Sequence, residues 1–342
     1  MQAVDRKNGH IDLALNQPPV ASEFDHYQLT HRALPEVNFG QIDLQTPFLG
    51  HVLAAPIFIS SMTGGPARAE RINAVLAEAC RELNLAMGVG SQRIALETRH
   101  LSGMTRSVRG AIGQQPLMAN FGAINLPDLA SPSDLSRILD PLQADALILH
   151  LNPMQEVFQP RGDTDWAGIL NCIAEVCAWC PVPVIVKEVG FGLDPVSAQR
   201  LLAAGVSFLD VAGRGGTRFD WIERELRGPG AEMPSQEAFD GWGYSTPEAL
   251  KLCSPHIARS QLLASGGIRH GVDVAKALCL GASLCGVGGA ILPAALESTE
   301  AAVGFLRQMI LDLRTACYGS GVASSAHLNT EQLKVINPGG LG

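Results

Sequence analysis

No stretch of the 342-residue sequence stays apolar over the roughly 20 residues that a membrane-spanning helix requires. The first twenty residues, MQAVDRKNGHIDLALNQPPV, carry charges and no long apolar run, which speaks against a signal peptide or membrane anchor there. A soluble, cytoplasmic chain is the expectation. Basic charge is also in short supply, because 25 Lys+Arg against 33 Asp+Glu leave a formal net charge of −8. Nucleic acid and anionic membranes both demand a basic field, so neither is expected as a partner. An anionic small molecule would have to be held by local cations. Zinc-site spacing is missing too. Of the 8 cysteines only Cys177 and Cys180 stand in a CxxC pattern, no second ligand pair follows it, and Cys177 falls on an apolar helical stripe. The cysteines therefore read as structural. Polar low-complexity tracts are absent, and a composition of 46% hydrophobic and 17% charged residues supplies ample apolar surface for a large core.

What the sequence does contain is one pattern repeated eight times: a short apolar strand that ends in polar or glycine-rich chemistry. The strands are expected at 56–60, 85–89, 116–120, 146–150, 182–187, 208–211, 261–265 and 284–287. Continuous apolar runs of this length are what parallel strands buried on both faces look like. Helical patterns separate them. Ile72, Val75, Leu76, Ala79 and Leu83 fall on one helical face, and Ile169, Leu170, Ile173, Val176 and Cys177 form another such stripe. Asp194-Pro195 and Thr246-Pro247 each place a capping residue before a proline, and Gly281 stands where a helix over 272–280 should stop. Eight alternations favour a closed (β/α)8 barrel, an α/β TIM barrel of one domain with added segments, since such barrels run near about 250 residues. The additions are 1–50, with a small strand at 46–50 on the barrel floor and no clear α/β unit, a lid-like insertion at 220–244 after the sixth strand, and a helix and tail over 301–342.

Active groups of such a barrel lie just beyond the C-terminal strand ends. Ser265, Gly266, Gly267, Ile268 and Arg269 after strand seven, with Gly289 and Ala290 after strand eight, form a candidate phosphate cup of backbone N–H groups with one added cation. The alternative is a pair of tight turns without ligand. Lys187 ends strand five. It reads either as a lysine snorkelling from the rim, as a Schiff-base former, or as a cation that stabilises an anionic reduced flavin ring. Ser91 and Asn120 offer hydrogen bonds to a flavin's polar edge and Thr63 to its ring or chain, although each alone is more often a satisfied loop residue. Glu156, beside Gln155 after strand four, suits Mg2+, which commonly bridges one carboxylate to substrate phosphates, or is one of a solvated pair. Arg6, Lys7 and His10 by themselves read as a frayed basic segment.

Taken together, these residues resemble the type 2, FMN-dependent isopentenyl-diphosphate isomerases. The resemblance rests on Arg6-Lys7-Asn8-Gly9-His10, Ser61-Met62-Thr63-Gly64-Gly65, Gly90-Ser91-Gln92-Arg93, Asn152-Pro153-Met154-Gln155-Glu156, Gly162-Asp163, Val186-Lys187-Glu188-Val189-Gly190, Gly213-Arg214-Gly215-Gly216-Thr217 and Ser265-Gly266-Gly267-Ile268-Arg269. These span nearly the whole chain in order. The lysine and the strand-seven glycines are shared by FMN barrels in general, whereas the first element and the Asn-x-x-Gln-Glu element are specific. The resemblance implies interconversion of isopentenyl and dimethylallyl diphosphate by a 1,3 proton shift, with FMN reduced by NAD(P)H and Mg2+ gripping the diphosphate. It implies diphosphate contacts from Arg6, Lys7 and Arg93, further substrate contacts from His10, His150 and Asn152, Gln155 facing the substrate opposite the flavin, and Glu156 on the metal. FMN would be held by Met62, Thr63, Ser91, Asn120, Lys187, Thr217, Gly266 to Arg269, Gly289 and Ala290. Where relatives often carry Ser, this chain has Ala212, which leaves only a backbone contact there. The resemblance also implies a homo-oligomer. The rival readings within flavin barrels are a 2-hydroxy-acid oxidase, which wants a His just before the strand-seven element, and a dehydrogenase of the inosine-monophosphate type, which wants a Cys after strand six. Neither residue is present. A catalytically silent flavin-binding barrel is the alternative from another class, and it would have no use for Arg6, Lys7, Gln155 and Glu156 together.

Overall fold

The computed structural model describes residues 3–62, 67–93, 106–129, 132–227 and 234–336. Chain order begins with α1 (Ala3–Asn16), β1 (Tyr27–Leu29) and the antiparallel hairpin β2 (Thr46–Phe48) and β3 (His51–Leu53). The barrel strands are β4 (Ile57–Ile59), β5 (Ala86–Gly88), β6 (Leu117–Gly122), β7 (Ala146–Leu151), β8 (Val184–Glu188), β9 (Phe208–Asp210), β10 (Leu262–Ala264) and β11 (Leu284–Val287). All pair in parallel, and β9 to β10 closes the ring. Every expected strand is found within a residue or two of its place, because burial on both faces writes itself as an uninterrupted apolar run.

Helices pack around this ring. They are α2 (Ala67–Leu83), α3 (Arg106–Ile112), α4 (Pro132–Leu139), α5 (Pro153–Phe158), α6 (Ile169–Trp179), α7 (Pro195–Ala203), α8 (Phe219–Arg227), α9 (Gln236–Phe239), α10 (Thr246–Cys253), α11 (Gly271–Cys279), α12 (Leu292–Glu297) and α13 (Thr299–Gly319). Asp194 caps α7 by accepting from the Ser197 N–H at 2.9 Å. At α10 the cap is Ser245 rather than Thr246, because Ser245 and Glu248 form a reciprocal capping box and Thr246 enters the first turn.

Two cores result. Outward-facing strand residues meet the helices, while Phe58, Ala86, Met118, Ile148, Ile185 and Leu263 fill the barrel interior with Phe48 and Leu53 of the β2/β3 hairpin. The hairpin thus plugs the end opposite the catalytic mouth. β1 pairs antiparallel with β12 (Leu333–Val335), which joins a segment before the barrel to one after it.

The N-terminal region departs from expectation. Residues 3–16 are a helix that lies on α8, where a sequence reading sees no α/β unit and only a frayed basic segment. A Cβ on Gly9 would meet the Leu226 side chain at 2.7 Å, so glycine permits this approach. The eight cysteines are unpaired, and burial raises the Cys177 thiol to about 11, with Cys180 also pushed up, as inert structural thiols behave.

Candidate active site

The C-terminal strand ends converge on a cavity of about 360 Å³. Pairing register sets a row beneath it: Gly122, His150, Lys187 and Asp210 are successive partners across β6, β7, β8 and β9, and of these Lys187 lines the cavity. Lys187 is buried, and its Nζ donates to the Glu188 carbonyl at 2.6 Å. Asp210 accepts from Ser265 Oγ at 2.8 Å and from the Ala212 N–H at 3.2 Å. Burial raises the Asp210 carboxyl, against the opposing charge of Lys187. The Glu188 carboxylate gathers the N–H groups of Val189, Gly190, Phe191 and Gly192, which fixes the turn after β8.

One side of the cavity is almost all backbone. Gly266 has φ +91° and Gly267 φ +74°, and a Cβ on Gly266 would stand 2.1 Å from the Gly213 carbonyl. Only glycine fits this crossing of the loops after β9 and β10. Gly289 opens a short 3-10 turn after β11, and Met62, Ala212, Thr217, Ile268 and Ala290 complete the wall. Ala212 has φ +38°, a conformation that L residues rarely adopt and that marks local strain. The Ser61 hydroxyl is buried against the cavity with no hydrogen-bond partner, a polar group that suits an acceptor or donor edge of a bound heterocycle. The cation assigned to the phosphate cup is engaged elsewhere: Arg269 binds Asp25 at 2.6 Å and Asp273 at 2.8 Å, and these two carboxylates raise its already high pKa. Its own backbone N–H also donates to Asp273 at 3.1 Å, although Arg269, Gly266 and Gly267 line the cavity.

The substrate-side residues form a second cluster, linked by the adjacent Gln155 and Glu156 of α5. Glu223 of α8 has a fully buried side chain and holds three groups at once. Arg6 Nη2 donates to it at 2.6 Å, His10 Nε2 at 3.1 Å and Gln155 Nε2 at 2.8 Å. Burial pushes the Glu223 carboxyl up, but the His10 hydrogen bond, the His10 and Arg6 charges and the Gln155 amide outweigh it and leave it lowered. Glu156 accepts from Asn152 Nδ2 at 2.7 Å and from the Asp163 N–H at 2.9 Å, and Asp163 in turn pairs with Arg93 at 3.3 Å. Burial raises the Glu156 carboxyl, opposed by those two hydrogen bonds. A Cβ on Gly162 would lie 1.9 Å from the Glu156 carbonyl, so that turn closes only with glycine.

His150 Nδ1 donates to Asn120 Oδ1 at 2.8 Å, which leaves Nε2 as an acceptor. Burial and the Lys187 charge lower its pKa to about 4, so the ring is neutral. Asn120 is buried and serves His150 rather than the cavity wall, Ser91 is half-buried at the end of β5, and Lys7 is half-buried on α1. Thr63 lies outside the described residues. Among the described residues no cluster of three His, Cys, Asp or Glu side chains could hold a metal, and Glu156 has the Asp163 charge nearby.

The family model for FMN-dependent dehydrogenases matches residues 19–99 and 145–335. An isopentenyl-diphosphate delta-isomerase of Stutzerimonas stutzeri is 44% identical over 334 residues, covering 96% of each chain. The chain belongs to the FMN-dependent isopentenyl-diphosphate delta-isomerase family. Another member of that family, from Xanthobacter autotrophicus, is 46% identical and covers 93% of this chain and 94% of its own. Among solved structures, the flavin-binding domain of baker's yeast flavocytochrome b2 superposes with TM-score 0.68 at 17% identity, covering 95% of this chain and 82% of its own. A mandelate oxidase variant with an FMN adduct gives TM-score 0.61 at 18% identity, covering 97% and 92%. These two likenesses establish the fold.

Sequence reasoning overlooked Glu223, Asp210 and Ser61. The signal for Glu223 was present: Phe219, Ile222 and Leu226 form one helical face, and Glu223 is the single carboxylate set into it. A charge on an apolar stripe must find partners, and here they are Arg6, His10 and Gln155.

Proposed function

We propose that this isomerase-family chain interconverts isopentenyl and dimethylallyl diphosphate by a 1,3-allylic proton shift, with FMN, Mg2+ and NAD(P)H as reductant. The supporting observation is that Glu223 brings Arg6, His10 and Gln155 together next to the Glu156, Asn152, Asp163 and Arg93 set, with His10 lining the same cavity as Lys187. Arg6, Lys7 and Arg93 bind the diphosphate, and Glu156 would hold Mg2+, which would help neutralise the diphosphate. The glycine-lined wall holds the FMN phosphate through backbone N–H groups of Gly266, Gly267, Gly289 and Ala290, with Thr63 and Ser91 at the flavin. When bound, reduced FMN supplies a negatively charged, proton-exchanging ring face against the alkene. Lys187 stabilises the charge at that ring. Gln155, its amide nitrogen tied to Glu223, presents its oxygen to the allylic carbons, while neutral His150 and Asn152 orient the substrate. Residues 220–244 and α1 exclude water from the carbocation-like species. The protein works as a cytoplasmic homo-oligomer.

The test is conversion of isopentenyl diphosphate by purified protein with FMN and Mg2+, run anaerobically with and without NADPH. Turnover that requires reduced flavin supports the reading. Bound, reducible FMN without turnover rejects the isomerase and leaves an FMN oxidoreductase or a flavin-binding barrel.

A further inference from the structure

Gln17 stands one residue past the end of α1 and reaches the loop after β9. Its Nε2 donates to the Gly216 carbonyl at 3.1 Å and its Oε1 accepts from the Arg218 N–H at 3.0 Å, so the amide straddles Thr217. A primary amide carries a donor and an acceptor side by side, the same pair that a backbone presents, and it joins helix to loop as one rung of a strand pairing would. Gly216 and Thr217 line the cavity from the loop, and Ile11, Ala14 and Gln17 line it from the other side. Other ties of α1 act elsewhere: Arg6 and His10 go to Glu223, and exposed Asp12 pairs with Arg68.

We propose that Gln17 is a positioning residue that couples FMN loading to docking of the N-terminal helix. The inference rests on the reading of the cavity as the FMN site. The loop that cofactor binding must order is the loop that Gln17 grips, so each event stabilises the other, and by linkage the two effects share one factor. Two ordinary hydrogen bonds set that factor on the order of tenfold.

The experiment uses the full chain stripped of flavin, with FMN affinity read by quenching of flavin fluorescence. Trypsin cleavage within α1, after Arg6 or Lys7, is followed with and without saturating FMN. Wild type, Gln17→Ala and Gln17→Glu are compared, and Asp12→Ala controls for general loosening of the helix. Gln17→Glu keeps the acceptor for Arg218 but lacks the donor for Gly216, and it decides the matter if Gln17→Ala does not fold. In wild type and Asp12→Ala, FMN should slow cleavage about tenfold. In the Gln17 variants FMN should bind about tenfold more weakly and, even at saturation, leave the cleavage rate nearly unchanged. Equal protection by FMN in wild type and the Gln17 variants overturns the proposal, as does wild-type protein that binds FMN without protecting α1. Wild-type protein that binds no FMN removes the cofactor reading and the coupling with it.

Discussion

Glu223 is the residue on which the substrate side of the mouth turns. Three donors converge on one buried carboxylate, and removing it leaves Arg6 and His10 without the group that holds them over the mouth and Gln155 free to rotate. Hydrogen bonds to a charged group contribute about 1.5–3 kcal/mol each, so Glu223→Ala should lower isomerase kcat by roughly 100-fold or more. FMN affinity, read by flavin absorbance on titration, should fall by no more than the roughly tenfold that docking of α1 contributes, because Glu223 does not line the glycine wall; a larger loss would place it in cofactor binding. His150 offers a test by pH. Its folded pKa of about 4 lies below the ordinary value of 6.5. The unfolded chain therefore takes up the proton first, and the stability carried by this site is full above pH 6.5 and lost as pH falls from 6.5 toward 4. The 15N resonances of His150 should report a neutral ring, protonated at Nδ1, at pH 5.5, about a unit below ordinary His titration. Titration near the ordinary value would contradict the packing against Lys187. At this scale candidates were legible at a strand end or shortly after it, as with Lys187 and Gln155, although Asp210 at the end of β9 was passed over. Chemistry was not legible where partners are far apart in sequence: Arg269 looks like a free cation until Asp25, 244 residues away, is folded against it.

At the scale of elements, the eight strands were legible because burial alone dictates their composition, and α7 because Asp194 and Pro195 spell its start. The helix α1 was not, since AVDRKNGHIDLALN shows little amphipathic pattern and owes its place to α8 and to the loop after β9. Tertiary contacts override local preference there. Turns divide in the same way. Gly162 is required by a backbone approach of 1.9 Å, whereas Gly304, exposed in the middle of α13, has nothing within 4 Å of a built Cβ. Gly162→Ala should displace the α5 to Asp163 turn, raise the Mg2+ concentration needed for half-maximal turnover by about tenfold and lower the melting temperature. Gly304→Ala should stabilise by up to about 1 kcal/mol in denaturant unfolding, with kinetics unchanged. The reverse order of effects would mean that the two backbones are not as described.

Across the whole molecule, an N-terminal and a C-terminal segment meet outside the barrel. β12 pairs with β1, Arg259 donates to the Ala326 and Leu328 carbonyls, and Lys276 reaches the Phe24 carbonyl at 2.9 Å beside the Asp25–Arg269 pair. Removing residues 329–342 should strip β1 of its partner and loosen the segment that carries Asp25. The expected result is a melting temperature lower by several degrees and weaker FMN binding, read by thermal shift with and without FMN. An unaltered FMN-dependent shift would show that the cofactor wall does not depend on this outer sheet.

The helix over the mouth also fixes an order of events during synthesis. Arg6 and His10 leave the ribosome before Glu223, which follows 217 and 213 residues later. At ordinary translation speeds that gap is on the order of tens of seconds, during which α1 has nothing to dock on. An isolated helix of this length is marginal in water. The segment that carries Arg6 and His10 is thus made well before it can fold, and a nascent chain stalled before α8 would expose an open, incomplete barrel mouth to any chaperone or protease that samples it.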